Sequence, residues 1–174
     1  MQYIKEVIYL DFSSLSKFSA PTWDMLPDID LYMDQVLALA EKYFGVFSDS
    51  KDGNITSSML NNYVKQKVIP APDKKRYNKE HLARFLMICV LKRVLSIAKI
   101  KTLFDDLFDK NSVMDIYEIF GGELDYTLHA LTDKVPLSKP DSDDEDIMAL
   151  KFAVRSFAYM IFSEFYMTNS KNEE

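Results

Sequence analysis

The sequence predicts an all-α protein with a winged helix-turn-helix core and a C-terminal helical domain. Three observations predict it. Apolar residues recur at helical spacing from Met33 to Phe108 and again from Val113 to Met167. The four glycines and six prolines fall mostly between those periodic segments. Finally, Ile55 to Phe104 reads as a short exposed helix, a basic proline-flanked loop, a long buried helix and a short amphipathic helix. That order is the layout of a winged helix-turn-helix head.

Charge agrees with this layout. Asn54 to Phe104 holds eleven Lys or Arg against two acids, Asp73 and Glu80, a net of +9. The rest of the 174 residues holds ten against twenty-five, a net of −15, so the chain is acidic at −6 with one concentrated basic segment. Apolar residues make up 48%, which excludes general disorder. The single cysteine, Cys89, lies in the apolar run LMICVL and cannot form an internal disulfide. A buried small hydrophobe in a reducing cytoplasm is expected there. The N-terminus MQYIKEVIYL lacks a basic n-region, so no signal peptide is expected. Ile147 to Met167 carries Lys151, Arg155 and Glu164, too many charges for a lipid-facing span. A soluble protein without membrane contact is expected.

Taken in order, residues 1–27 read as an N-terminal arm. KEVIYLDF suits a short strand or a helical turn, SSLSKFSAPTWD an extended stretch, and Trp23 between Pro21 and Pro27 an anchor on the body. Asp28 to Asp30 suits a helix start, and Met33, Val36, Leu37, Ala40 and Phe44 form one buried face. Gly45 is expected to close this helix with a left-handed cap, and Phe47 to Asn54 to form a loop.

Thr56 or Ser57 caps the next helix, with Leu60, Tyr63 and Val64 inward and Val68 one turn on. Its other face displays Ser58, Asn61, Asn62, Lys65 and Gln66. Amides pair bidentately with adenine and Lys reaches guanine or phosphate, so such a face suits the major groove. The competing reading is a merely soluble polar face. Pro70 and Pro72 then hold the chain extended, and Lys74, Lys75, Arg76 and Lys79 place four cations within six residues. They form a candidate phosphate clamp, against the competing reading of a solvated basic run.

Asn78 caps a central helix with Leu82, Phe85, Leu86, Cys89 and Leu95 as its core stripe. Ser96 caps another, with Ile97, Ile100, Leu103, Phe104, Leu107 and Phe108 on one face. His81 and His129 have no partner at metal-ligand spacing and are read as structural or exposed. A boundary is placed near Asp109 to Ser112, giving a DNA-binding domain over 28–110 and a helical domain over 111–174. In the second domain Gly121-Gly122 marks a helix break or a close helix contact. Asp143, Asp144, Glu145 and Asp146 are read as a helix N-terminus and not as a metal site. The final helix is rich in Phe, Tyr and Met, and some of these are expected to face a partner subunit or a ligand cavity.

From Leu60 to Leu103 the chain resembles the DNA-binding head of MerR-type transcription regulators. In MLNNYVKQKVIPAP, Leu60, Tyr63, Val68, Ile69 and Pro70 match that family's recognition helix and its exit. Asn61 stands for the family's Arg, Asn62 for its first Tyr and Lys67 for its Gly. In KKRYNKEHL, Lys75 stands for a wing Arg, while Tyr77, Asn78, Glu80 and Leu82 are kept. SIAKIKTLF resembles the Ser-Leu-x-x-Ile-Lys-x-Leu segment that closes the head. The whole chain, with its WDMLPDIDLYMDQV approach, is also similar to a family of uncharacterised bacterial proteins with a MerR-like head.

The resemblance implies a transcriptional regulator that binds double-stranded DNA as a homodimer. The C-terminal domain would pair the subunits and is the place for a small-molecule or protein effector. The expected DNA contacts are Ser58, Asn61, Asn62, Lys65, Gln66, Lys74, Lys75, Arg76, Tyr77 and Lys79. The alternative is a protein-interaction module without sequence-specific DNA binding. No nucleophile–base–acid set, phosphate-binding glycine loop or metal set is legible, so neither catalysis nor a cofactor is expected.

Overall fold

The computed structural model describes residues 12–47 and 55–169. Within them the chain is all-α. The helices are α1 (Phe12–Ser16), α2 (Met33–Phe44), α3 (Ser57–Lys65), α4 (Lys79–Leu91), α5 (Ile97–Lys110), α6 (Val113–Thr132) and α7 (Glu145–Asn169). Tight 3-10 turns occupy Trp23–Met25 and Gly45–Phe47. The expected strand or helical turn at the N-terminus lies outside the described residues up to Phe12, as does the expected loop after Phe47.

The centre is α4. Asn78 Oδ1 accepts the His81 amide at 3.1 Å and starts the helix. Leu82, Ala83, Phe85, Leu86, Met87, Ile88, Val90 and Leu91 are all buried, because α2, α6 and α7 cover it on different sides. Full burial of one Leu or Phe side chain contributes roughly 1.5–3 kcal/mol, so this helix alone supplies a large share of the core. Cys89 is only partly buried, and desolvation pushes its thiol up to about 12, which keeps it protonated.

The core is continuous from Leu15 to Phe162. Ser112, which accepts the Asp115 amide at 3.1 Å, starts α6 two residues after α5 ends, and α6 then packs on α4, α7 and α1. Helix α6 runs unbroken through Gly122 and Gly121, so there is no break, and Gly121 meets the arm at ordinary van der Waals distance. A Cβ built there would sit 3.5 Å from that of Ala20.

The arm is only partly extended, for Phe12–Ser16 forms a helical turn that buries Leu15. It is fastened along one face of α6. Glu118 Oε1 accepts the Trp23 amide at 2.5 Å, Asp125 Oδ1 the Ala20 amide at 2.7 Å, and His129 Nε2 donates to the Phe18 carbonyl at 3.0 Å. Those residues recur at helical spacing, which makes α6 a rail for the arm. Trp23 stands edge-on to Tyr117, 6.1 Å between centroids, as an anchor should.

Three local expectations need correction. Helix α2 starts at Met33 with Tyr32 as its N-cap, not at Asp28 to Asp30. Leu31 is drawn out of the helix because it exchanges both backbone hydrogen bonds with Tyr77, each 2.8 Å. Gly45 is not left-handed, with φ −59° and ψ −25°. The chain instead tightens into a 3-10 turn that turns both Phe44 and Phe47 onto Phe18, at 5.8 and 4.6 Å.

The third correction concerns the wing. Among the described residues there is no strand, only the isolated bridges Leu31–Tyr77 and Asp73–Arg76. Pro70 and Pro72 lack amide hydrogens, so the descending side of the loop has too few donors to build a ladder. Nor is any helix among the described residues long and apolar enough to cross a membrane.

Candidate nucleic-acid interface

Helix α3 is set by three local devices. Thr56 Oγ1 accepts the Met59 amide at 3.3 Å and caps its start. Leu60 and Tyr63 are buried, with the Tyr63 ring 6.2 Å from Phe85, and burial pushes the Tyr63 hydroxyl up to about 12. At the C-terminus the Val68 and Lys67 amides return to the carbonyls of Tyr63 and Val64, each at 3.0 Å. This is a Schellman closure, and it puts Lys67 at φ 58°. Val68 and Ile69 then plunge into the core and root the following loop.

The outward face is the expected one. Ser58, Asn61, Asn62, Lys65 and Gln66 are all exposed. Gln66 Nε2 donates to Asn62 Oδ1 at 3.0 Å, which orients two of the amides together.

The loop ends in a two-residue turn. The Arg76 amide donates to the Asp73 carbonyl at 2.7 Å, and the residues between them, Lys74 and Lys75, stand at φ 45° and 65°. Two consecutive positive φ values closed by an i→i+3 bond are the signature of a type I′ turn. That turn ordinarily takes Asn-Gly. Here it carries two exposed lysines at its apex.

The base of the turn is clamped from both sides. The Arg76 guanidinium lies 3.9 Å above the Tyr32 ring. It donates through Nη2 to Tyr32 Oη at 2.7 Å and through Nη1 to the Asp30 carbonyl at 3.4 Å. Lys79 Nζ lies 5.0 Å over the Trp23 ring. Tyr77, expected among the DNA contacts, is only 3% exposed; its ring stands edge-on to His81, so its side chain serves the core and its backbone holds the turn to Leu31. In its place the fold brings up Tyr32 and Trp23, which the sequence reading did not place at this surface. No local signal marks Tyr32, because the backbone pairing of Leu31 with Tyr77 is what turns it toward Arg76.

The loop gathers four cations, Lys74, Lys75, Arg76 and Lys79, within six residues. Among the described residues the ion pairs use Arg93, Lys101, Lys110 and Arg155, each against a carboxylate. No such pair holds Lys74, Lys75, Arg76 or Lys79. Arg76 meets the Tyr32 ring and hydroxyl and a backbone carbonyl, and Lys79 meets the Trp23 ring, contacts that hold the side chains without neutralising them.

The family described as "Domain of unknown function (DUF1836)" matches residues 21–120. The chain belongs to the DUF1836 family. The DUF1836 segment opens at Pro21 and closes at Phe120, the residue before the Gly121 contact. It therefore contains Trp23, Tyr32, α3, the lysine turn and the whole of α4 and α5. The part of the chain after the DUF1836 segment completes α6 and adds α7. No curated protein and no solved structure matches the chain.

Proposed function

We propose that this DUF1836 protein binds double-stranded DNA in transcriptional control, through a MerR-like winged helix-turn-helix head whose recognition helix is α3 and whose wing is reduced to the Asp73–Arg76 turn. The exposed amides Asn61, Asn62 and Gln66, with Ser58 and Lys65, read base edges in the major groove. Lys74, Lys75, Arg76 and Lys79 hold flanking phosphates, which fix register without reading sequence. Lys67 supports the resemblance, because it adopts the left-handed conformation that suits the family's Gly at that position. A homodimer, paired through the C-terminal helices, sets two copies of α3 about one DNA turn apart.

The observation that carries this reading is the concentration of four cations on the loop, none of them in an ion pair among the described residues. In an acidic protein, cations clustered on one turn are a surface suited to an anion. The test is fluorescence anisotropy with a duplex cut from beside the protein's own gene, against random duplex, at low and near-physiological salt. Binding that weakens steeply with salt and stays stronger for the native duplex is expected. In that assay Lys75→Ala weakens binding to both duplexes and flattens the salt slope, while Asn61→Ala mainly relaxes base preference.

One observation favours a second reading, a protein-interaction module. Phe152 and Tyr159, seven residues apart on α7, are 49% and 53% exposed. Absence of duplex binding at low salt would favour that module.

A further inference from the structure

We infer that Tyr32 and Arg76 form a two-residue clamp on one backbone phosphate, in which the Tyr32 hydroxyl is itself a donor to the phosphate oxygen. The inference rests on the duplex-binding reading above and adds a contact that the basic loop alone does not supply.

The placement follows from backbone pairing. Leu31 and Tyr77 exchange their backbone hydrogen bonds as an antiparallel pair. The neighbours just beyond such a pair, here Tyr32 and Arg76, are opposed and project to the same side. Tyr32 is held further by its amide, which donates to Gln35 Oε1 at 2.8 Å. Two residues 44 positions apart in sequence are thus fixed against each other by main-chain geometry.

The chemistry follows from donor and acceptor counting. An arginine has no acceptor, so in the 2.7 Å contact Nη2 donates and Tyr32 Oη accepts. The phenol keeps its own hydrogen, and the residue is 50% exposed. The guanidinium keeps Nε–H and further Nη hydrogens, and among the described residues no carboxylate lies within ion-pair distance of it. An anion seated here meets a cation and a hydroxyl donor side by side. A phosphodiester offers two non-bridging oxygens, one for each. An arginine meant only to fasten the turn would do better on a carboxylate. Asp30 is at hand, yet it contributes its main-chain carbonyl.

The experiment uses the full chain, random-sequence duplex and a salt series read by anisotropy, with thermal midpoints taken on each variant. Tyr32→Phe keeps the ring under the guanidinium and removes only the hydroxyl. It is expected to weaken binding roughly tenfold, the loss of one hydrogen bond to a charged acceptor, with the slope of log affinity against log salt unchanged. Arg76→Ala is expected to lower that slope by about 0.9, one phosphate contact. In the Arg76→Ala background Tyr32→Phe should cost much less than in the wild type, because the phosphate is no longer seated. Arg76→Lys, which keeps the charge and loses the fork, should retain the slope but bind more weakly.

Wild-type binding with an unchanged affinity for Tyr32→Phe overturns the clamp and leaves the duplex-binding reading standing. A Tyr32→Phe loss that is the same size in the Arg76→Ala background also overturns it. Failure of the wild type to bind duplex at low salt removes the reading and the clamp together.

Discussion

Lys74 and Lys75 sit side by side in left-handed backbone conformations, φ 45° and 65°, across a turn closed by the Arg76 amide on the Asp73 carbonyl. Each L-residue so placed costs on the order of 1 kcal/mol that glycine would not incur. Strain kept at a solvent-exposed apex is commonly tied to what the side chains do. Lys74→Asn/Lys75→Gly installs the favoured type I′ pair. It should raise stability by about 1–2 kcal/mol in denaturant unfolding, while weakening duplex binding and flattening its salt dependence. Loss of stability in this variant would show that the turn is not strained as described.

A second left-handed lysine offers a control. Lys67 closes α3 at φ 58°, where glycine is the favoured residue. Lys67→Gly should stabilise the protein by about 1 kcal/mol, read as a shift of the urea midpoint at constant slope. Because Lys67 is not among the proposed contacts, duplex affinity should move far less than in the Lys74/Lys75 variant.

Deeper in the molecule, Arg155 Nε donates to Glu123 Oε1 at 2.5 Å between α7 and α6, with side-chain exposures of 11% and 9%. Arg155 also donates through Nη1 to the Ser138 carbonyl, tying down the segment between these helices. Glu123→Ala strands a buried guanidinium and should cost about 3–5 kcal/mol. Glu123→Leu/Arg155→Met removes both charges and should recover most of that loss. Equal destabilisation of the single and double variants would mean that packing, not charge, dominates the site.

His81 gives a pH dependence whose sign is fixed by its surroundings. Burial lowers its affinity for a proton below the ordinary 6.5, and the nearby Arg84 charge acts in the same direction. The unfolded chain therefore binds the proton more readily, and stability falls as pH drops below about 6.5. Nδ1 of the same ring accepts the Asn78 amide at 3.1 Å, a role that glutamine fills in capping boxes. His81→Gln should keep the cap and flatten the decline in thermal midpoint between about pH 7.5 and 5.5. An identical decline in both proteins would assign it to other groups.

The legible parts of the fold were those governed by chemistry within a few residues. Thr56, Asn78 and Ser96 were readable as helix caps because a side-chain oxygen accepts an amide three residues on. The inner face of α3 followed from spacing, and the deep burial of most of α4 from its almost continuous apolar run. The start of α2 and the conformation of Gly45 did not. Leu31 answers to Tyr77, and Gly45 to the packing of Phe44 and Phe47 on Phe18. At the candidate site the cations were visible as a cluster, whereas Tyr32 was not, because its partner lies far along the chain.

By itself the sequence determined that the protein is helical, which face of each central helix turns inward, and where its positive charge is concentrated. Periodicity, caps and composition are local, and they act whatever the rest of the chain does. Tertiary structure decided which cations meet carboxylates and what holds Arg76. Arg93 and Arg155 meet carboxylates across helix interfaces, while Arg76 meets a phenol and a carbonyl. It also took Tyr77 into the core and brought Tyr32 out beside Arg76. Ion pairs and stacking depend on distances of a few ångströms between remote residues, and only the packed chain sets those distances.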